Sequence, residues 1–486
     1  MSHYALFGVV FSLFWPCVER GYAGSFSVRI SSFFTYLRRG RFFTTLLLVA
    51  SVGASAWAVD SSEKVYNAQT VTLENGLRVV VVENHLMPVV NHMIWYEVGA
   101  ADEPPGKSGL AHLLEHAMFK GTTSIGPGEF SRVIAENGGN LNAFTSSDFT
   151  AYYVSIAADR LPLVMEMEAD RMRNLVCSEQ DFLTERDVVV QERLQRTENN
   201  PDAQLDERVN VSLWVTHPYR NPVVGWMNEV SSLTRQDAFD FYKSWYSPEK
   251  AIVIITGDVK TSEAMKLAQQ YYGSLPGKKY QKRVRPTSVL AKANTRVEMS
   301  HPNVRTSRWM QTYRVPSVRT AASPREVAAL EVLTEVLGRG SLGLLYRDLV
   351  IDRRVAVDAG ASYRAFQVDD TYLQIYAIPK DGVSVEELEK TTLEFLDRFL
   401  REGVSAGDVE EAKIRLRAGV IYERDSLIGP AYMIGQALVV GEPLSSVETW
   451  PQQIAVVSRE DVMDAAQRWV HVSDSVIGVL RPQGDS

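Results

Sequence analysis

The chain has 486 residues, of which 45% are hydrophobic and 23% are charged. This is the composition of globular proteins, and it excludes a disordered, collagen-like or disulfide-framework protein. The formal net charge is −8, so no basic surface points to nucleic acid as a partner. The two cysteines are Cys17 and Cys177, and loss of an N-terminal leader would exclude an internal disulfide. At about 150 residues per domain, the length predicts two to four domains.

Residues 1–58 are typical of an export leader. They carry five arginines and one acidic residue, and the basic cluster Arg38–Arg41 precedes an apolar stretch and the cleavage pattern Ala56-Trp57-Ala58. We therefore expect a periplasmic protein whose leader is removed. An uncleaved anchor that holds the protein on the membrane, facing the periplasm, is the alternative. The uninterrupted apolar segment disfavours a mitochondrial presequence.

The segment after the leader predicts β-structure. Val71 to His85 has the pattern of two strands around the turn Asn75-Gly76, and the apolar run from Val89 predicts a third strand. Helical and strand patterns then alternate along the chain. We therefore predict a mixed α+β protein.

A shift of 224 residues aligns two parts of the sequence without a gap. The aligned pairs are Arg235 with Arg459, Asp237 with Asp461, Asp240 with Asp464, and Trp226 with Trp450. Self-similarity of this kind predicts two homologous halves.

The repeat and the local composition predict the domain limits. We place a first domain at residues 59–272, a linker at 273–292 and a second domain at 293–486. The linker carries glycine, proline and five basic residues between Gly273 and Pro286, and we expect its charges to be solvated.

Residues 108–120 have a helical pattern with three polar groups on one face. His112 and His116 are four residues apart and lie about 40° apart around a helix, with Glu115 beside them. Two neutral imidazoles at this spacing can bind one Zn²⁺, and a carboxylate on the same arc can hold a water molecule on the metal. The order H-x-x-E-H therefore predicts a zinc site. A pair of histidines on a helix surface is the alternative.

A second helical segment supplies acidic residues at a suitable spacing. Glu185 and Glu192 are seven residues apart, so they lie on one face of a helix, two turns from each other. One carboxylate can bind the metal while the other supports a histidine ligand through a hydrogen bond. The alternative is that both are solvated acids, as most glutamates are.

Together these motifs resemble the inverted-motif zinc metallopeptidases, the family of pitrilysin, insulin-degrading enzyme and mitochondrial processing peptidase, and among them the short two-domain bacterial members. The resemblance implies Zn²⁺ bound by His112, His116 and Glu192. It also implies Glu115 as the general base and Glu185 as the acid that supports a ligand. The implied fold has two homologous α+β domains, each a mainly antiparallel sheet faced by helices, with metal only in the first.

The same resemblance extends to substrate binding. The segment that starts at Gly138, G-G-N-L-N-A-F-T, is similar to the family's edge strand, where Asn142, Ala143 and Phe144 would pair with an extended peptide. Phe119 and Phe144 are expected either to line a pocket for apolar side chains or to pack in the core. His217, in H-P-Y-R-N-P-V-V-G, is also similar to the family and is not expected to be a ligand.

One departure from the family pattern concerns the second half. Members that act alone carry an arginine and a tyrosine seven apart, in L-R-x-x-x-G-x-x-Y, which help to hold the substrate carbonyl. Here Val350 and Val357 stand at those positions, and neither can donate a hydrogen bond. Nearby Arg347, Arg353 and Tyr363 have the wrong spacing.

In two-subunit members of the family, a metal-free homologue supplies the missing arginine and tyrosine. We therefore predict a zinc-dependent endopeptidase for extended peptides or oligopeptides that forms the catalytic half of a heterodimer. The alternatives are a non-catalytic scaffold subunit and a general metal-binding protein. Contact with a membrane is expected only through an uncleaved leader.

Overall fold

The computed structural model describes residues 64–277, 282–286, 294–470 and 475–484. The predicted leader lies outside these described residues. Within them, eleven strands form two sheets: β1 Gln69–Thr72, β2 Arg78–Glu83, β3 Val89–Tyr96, β4 Asn140–Thr145, β5 Thr150–Ala157, β6 Ala251–Gly257, β7 Thr295–His301, β8 Arg308–Val315, β9 Ala356–Tyr363, β10 Thr371–Pro379 and β11 Ser475–Pro482.

Sixteen α-helices lie in the same ranges, and several begin at a serine or threonine whose side chain accepts a backbone hydrogen bond. Their bounds are α1 Leu110–Ala117, α2 Glu129–Glu136, α3 Leu161–Asn174, α4 Glu179–Arg193, α5 Pro201–Leu213, α6 Met227–Val230, α7 Arg235–Trp245, α8 Thr261–Tyr272, α9 Pro324–Gly338, α10 Leu344–Tyr346, α11 Val385–Glu402, α12 Ala406–Asp425, α13 Gly429–Val439, α14 Leu444–Glu448, α15 Trp450–Ala455 and α16 Arg459–Trp469. Among these helices, none is both long and apolar enough to cross a lipid bilayer.

The two sheets share a topology of five strands, to which the first sheet adds β1 at one edge. The first has the strand order β1-β2-β6-β3-β5-β4 and the second has the order β7-β11-β8-β10-β9. In the first sheet β6 pairs parallel to β2 and antiparallel to β3, and in the second sheet β11 pairs parallel to β7 and antiparallel to β8. All other strand pairs are antiparallel. The predicted α+β class, with mainly antiparallel sheets faced by helices, is confirmed.

Side-chain contacts repeat as well as strands. In the first half, Nε of Arg235 donates to the carbonyl of Cys177 at 2.5 Å. In the second half, Nε of Arg459 donates to the carbonyl of Val404, also at 2.5 Å. Because these arginines are one of the pairs in the 224-residue shift, they hold matching helices, α7 and α16, in the same way.

Each half also covers one sheet face of the other. The helices α1, α3, α7 and α8 pack on one face of the first sheet. Its opposite face, which includes Trp95, is covered by α13 from the second half through residues such as Ile434. Conversely, Leu205 and Val209 of α5 pack on the second sheet against Met310. The described chain from residue 64 onward therefore forms one compact unit.

The prediction that the linker charges are solvated is wrong for two arginines. Nε of Arg283 lies 2.9 Å from a carboxylate oxygen of Asp102, and NH2 of Arg285 lies 2.8 Å from a carboxylate oxygen of Asp148. Alternate residues of an extended segment point to one side, and buried carboxylates require cations. Both aspartates come from first-half loops distant in sequence, so the linker composition alone did not reveal this pairing.

Candidate metal centre

Helix α1, which carries the two histidines, is held at its N-terminus by the half-buried carboxylate of Glu103. The two carboxylate oxygens of Glu103 accept hydrogen bonds from the backbone N–H groups of Gly109 and Ala111 at 3.0 and 2.8 Å. Gly109 has φ +86°, and a Cβ atom there would lie 2.6 Å from a methyl group of Val230. Glycine therefore lets the start of α1 approach the loop before α6, which sets the position of the histidines.

Three predicted ligands converge between α1 and α4. Oε2 of Glu192 lies 3.7 Å from Nε2 of His112 and 3.6 Å from Nε2 of His116. The three ligand atoms all lie within 4.8 Å of one another. A tetrahedral Zn²⁺ with bonds of about 2.0–2.1 Å places its ligand atoms about 3.4 Å apart, so two imidazoles and one carboxylate fit zinc with little movement.

Glu185 orients one of the imidazoles. Its Oε2 lies 3.1 Å from Nδ1 of His116, and its Oε1 lies 2.5 Å from Nζ of Lys120. A proton held on Nδ1 leaves the lone pair of Nε2 for a metal, and a carboxylate partner strengthens that nitrogen as a ligand. The structure thus brings Glu185 and Glu192 onto one face of α4, with the former behind His116 and the latter beside both rings.

Glu115 lies on the same face of α1 and is buried. The hydroxyl of Thr145, the last residue of β4, donates to Oε2 of Glu115 at 2.6 Å. Burial raises the pKa of Glu115 to about 7, although the hydrogen bond from Thr145 acts in the opposite direction. A carboxyl group with a pKa near neutrality can both accept and release a proton.

The ligands themselves are strongly perturbed in the metal-free protein. Burial lowers the pKa of His112 to about 4. Burial also opposes charge on His116, but the carboxylates of Glu185 and Glu192 outweigh it and raise its pKa to about 9. For Glu192, burial is outweighed by His116, His112 and Arg196, so its pKa falls to about 2. A proton on His116 therefore balances the carboxylates, and metal binding displaces it.

The predicted substrate strand is β4, which lies at the free edge of the first sheet. Asn142 is exposed there, and its side chain accepts a hydrogen bond from the N–H of Ala143 at 2.8 Å. Ala143 packs towards the α1 face. Phe144 points to the opposite face and packs against Trp95 and Tyr432, so it lies away from the metal ligands.

Phe119 and His217 take structural positions. The ring of Phe119 packs beneath the guanidinium of Arg171 and beside Tyr152, which places it in the core packing of the first half. His217 is buried, and its Nε2 lies 3.1 Å from a carboxylate oxygen of Asp369 in the second half. Among the described residues, His217 is not part of the group that could hold a metal ion.

The second half has no metal-ligand cluster among its described residues. In the register that pairs Ser178 with Ser405, Ala412 and Gly419 replace Glu185 and Glu192. Val357 is exposed and Val350 packs in the core. The three polar side chains considered as substitutes have partners within the second half: Arg347 with Asp408, Arg353 with Asp348 and Glu394, and Tyr363 with the carbonyl of Pro316.

Three further residues contact the centre and were not identified from the sequence as part of it: Lys120, Thr145 and Arg196. Lys120 follows His116 by four residues, and Arg196 follows Glu192 by four, so helical spacing was a usable signal for both. Nη1 of Arg196 lies 2.6 Å from Oε1 of Glu192. Thr145 carries no such signal, because its contact with Glu115 depends on the tertiary fold.

Comparison with known proteins identifies the family. Residues 78–225 match the family model described as Insulinase (Peptidase family M16). Residues 232–416 match the family model described as Peptidase M16 inactive domain. An uncharacterized zinc protease of Mycobacterium tuberculosis is 30% identical over 424 residues, which cover 85% of this chain and 93% of that protein. The chain belongs to peptidase family M16.

A further relative and a solved structure also match this chain over most of its length. The zinc protease PqqE of Helicobacter pylori is 29% identical over 90% of this chain and 97% of its own length. The crystal structure of a protease from Helicobacter pylori matches with a TM-score of 0.79 at 28% identity, covering 85% of this chain and 99% of that one. Zinc is the metal of M16 peptidases and the cofactor of this chain, and the donor set of His112, His116 and Glu192 fits it.

Proposed function

We propose that this M16 protein is a zinc-dependent endopeptidase that hydrolyses extended peptides or oligopeptides. The observation that carries the proposal is the convergence of His112, His116 and Glu192 within 4.8 Å, with Glu115 on the same face of α1. A binding site alone requires only the three ligands. A buried carboxylate beside them, with its pKa raised to about 7, adds the group that peptide hydrolysis requires.

Each residue of the centre has its own role in peptide hydrolysis. Zinc, when bound to the three ligands, supplies Lewis acidity for a carbonyl and for a water molecule. Glu115 accepts a proton from the attacking water and passes it to the nitrogen of the leaving amine. The hydroxyl of Thr145 holds one oxygen of Glu115 and fixes the plane of that carboxylate. The edge strand β4 pairs with the backbone of the substrate, which requires an extended peptide.

We also propose that the active form is a heterodimer with a homologous metal-free subunit. Val350 and Val357 stand where family members that act alone have an arginine and a tyrosine. Loss of one donor to the developing oxyanion costs about 10²–10³ in rate, and a partner that supplies the pair would restore it. The alternative is a non-catalytic scaffold subunit, but such a subunit would not need Glu115.

Metal analysis and a quenched-peptide assay test this function directly. The protein is assayed alone and mixed with a candidate metal-free homologue. We expect one zinc per chain, and cleavage that Glu115→Gln abolishes while zinc remains bound. Cleavage that survives Glu115→Gln would contradict the role of this residue, and zinc without cleavage in either mixture would favour a scaffold or a general metal-binding protein. Full activity of the isolated chain would refute the heterodimer.

The location of the protein is a separate proposal. Residues 1–58 have the charge and cleavage pattern of an export leader, so we propose a periplasmic enzyme. N-terminal sequencing of protein from a periplasmic extract should begin at residue 59. Recovery of the full-length chain in the membrane fraction would instead establish an anchored form.

A further inference from the structure

Arg196 lies beside the metal centre without a part in the reaction described above. Its Nη1 is 2.6 Å from Oε1 of Glu192, the oxygen opposite the one that faces the histidines. A guanidinium carries five N–H donors in a planar fork. Within the described chain Glu192 is its one partner, and the side chain is 64% exposed. Most donors of Arg196 are therefore open to solvent beside the ligand Glu192.

The backbone around Arg196 differs from the matching backbone of the second half. Residues Leu194–Glu198 form a π-helical turn directly after α4. Such turns are rare and occur frequently at functional sites. The corresponding stretch of the second half lies inside α12, which is α-helical throughout, and has Glu423 in place of Arg196. The irregular turn thus distinguishes this position from its counterpart in α12, although the second half has a π-helical turn elsewhere, at Arg347–Asp352.

The local charges favour an anionic group in front of Arg196. Glu185 and Glu192 give two negative charges, which Lys120 and Arg196 balance. A divalent zinc ion makes this set positive, whether or not Glu115 is ionised. Lys120 is only 25% exposed and lies against Glu185, so Arg196 is the member of the set that can bind an anion from solvent.

We propose that Arg196 is a specificity-determining residue that binds a carboxylate of the peptide substrate near the scissile bond. The inference rests on the proposed peptidase function. One arm of the guanidinium stays on Oε1 of Glu192, and the other arm binds the substrate. Both an acidic side chain and a C-terminal carboxylate offer two oxygens that match the fork, and the experiment separates these two sources.

The test uses quenched fluorogenic peptides that differ in one carboxylate. One series replaces asparagine by aspartate at each position within three residues of the cleaved bond. A second series compares a free with an amidated C-terminus at increasing distances from that bond. For wild type we expect KM about tenfold lower for the favoured carboxylate peptide than for its neutral counterpart. A preference in the first series identifies a side chain, and one in the second identifies the terminus.

Arg196→Gln keeps a donor for Glu192 but removes the charge and the fork. We expect its ratio of KM values to fall below about twofold, and Arg196→Lys to retain part of the preference. Zinc content is measured for each variant, so that loss of metal is recognised. Arg325→Gln is the matched control, since Arg325 is also exposed, at 56%, and paired with one carboxylate, Asp461. It should preserve the wild-type ratio.

Peptide binding gives a readout that does not depend on turnover. Fluorescence anisotropy on zinc-loaded Glu115→Gln protein, with and without Arg196→Gln, should show the same preference in Kd. Equal affinity of wild type for the paired peptides, or a preference that persists in Arg196→Gln, overturns the inference. If binding follows Arg196 while no peptide is cleaved by the wild-type chain, alone or with its partner, the peptidase function fails and the carboxylate site stands.

Discussion

At the scale of single residues, the metal centre depends on carboxylates that divide their two oxygens. Glu192 presents Oε2 to the histidines and Oε1 to Arg196, while Glu185 presents Oε2 to His116 and Oε1 to Lys120. Each cation therefore fixes the plane of one carboxylate. The ligand atoms are held in place before an ion binds, which reduces the reorganisation that binding requires.

Glu185→Gln tests this support. The amide can still accept a hydrogen bond from Nδ1 of His116, but its negative charge is lost and Lys120 loses its partner. We expect zinc affinity to fall by about 10–100-fold, measured by competition with a chromophoric chelator. Glu179→Gln, at the exposed start of the same helix, is the control. Equal affinity for all three proteins would show that Glu185 does not support the ligand.

Glu331 predicts a pH dependence of stability. It lies on α9, and its Oε2 accepts a hydrogen bond from the indole N–H of Trp450 at 2.8 Å. Burial raises its pKa from 4.5 to about 7. The folded protein therefore holds this proton more tightly than the unfolded chain, and the stability that it contributes below about pH 4.5 is lost as pH rises towards 7.

Glu331→Gln should remove this loss. At pH 8 we expect the variant to be more stable than wild type by about 3 kcal/mol, with the difference shrinking towards pH 4.5. Guanidinium unfolding midpoints at several pH values measure it. Glu263→Gln, exposed on α8, provides a control for general charge effects. A difference that is constant with pH would contradict the assignment.

At this scale the sequence predicted correctly which side chains lie close together when both belong to one helix. His112 with His116, and Glu185 with Glu192, could be placed on common faces by helical geometry alone. The contact between α1 and α4 needed the family resemblance, since sequence separation does not report distance. The orientation of Phe144 away from the ligands also required the structure, because the direction of alternation along β4 depends on its pairing with β5.

At the scale of secondary-structure elements, the fit of α13 on the first sheet is tight. A Cβ atom at Gly435 would lie 2.0 Å from Cε2 of Trp95, whose ring is fully buried. Glycine is normally unfavourable inside a helix by about 1 kcal/mol relative to alanine. Its presence in α13 allows the helix backbone to lie directly on the indole of β3.

Gly435→Ala should therefore destabilise the protein in spite of the better helix propensity of alanine. We expect a loss of about 2–3 kcal/mol from overpacking, visible as a lower thermal midpoint. Gly419→Ala is the matched control, since Gly419 lies within α12 and a Cβ atom there meets no atom within 4 Å. It should be neutral or stabilise by up to about 1 kcal/mol. Equal effects of the two changes would refute the packing argument.

At the scale of the whole molecule, two arginines of the linker join the halves. Arg283 and Arg285 contact Asp102 and Asp148 of the first half, and Nε of Arg285 also lies 3.6 Å from Asp369 of the second. Tyr219 adds a hydrogen bond to Asp148 and accepts one from the backbone of Asp369. This network, buried between the halves, orders the residues around the turn that follows β4.

Arg285→Gln should leave buried carboxylates without a cation. We expect a loss of about 3 kcal/mol in unfolding free energy and faster cleavage of the linker by trypsin at Lys282. Lys282→Gln removes an exposed charge three residues away, together with that tryptic site, and should leave the unfolding midpoint unchanged. A midpoint in Arg285→Gln that equals wild type would show that the network does not stabilise the assembly of the halves.

The repeat was visible in the sequence because α7 and α16 keep the same arginine, aspartate and tryptophan positions. The covering of each sheet by a helix of the other half was not visible. An amphipathic sequence predicts that one face of a helix is buried, but it does not predict which sheet that face covers. The same reason applies to Arg283 and Arg285, whose partners come from loops with no pattern in common with the linker.

The mutual covering by α5 and α13 has a consequence for engineering the molecule. A gene divided at the linker would yield two polypeptides. In each, one face of the β-sheet would lose the helix that covers it, and one amphipathic helix would lose the sheet on which it packs. Trp95 and its neighbours would face water in one product, and Met310 and Leu480 in the other. Such fragments should be recovered in folded form only by co-expression, as a split protein that reassembles, and not as two independent modules.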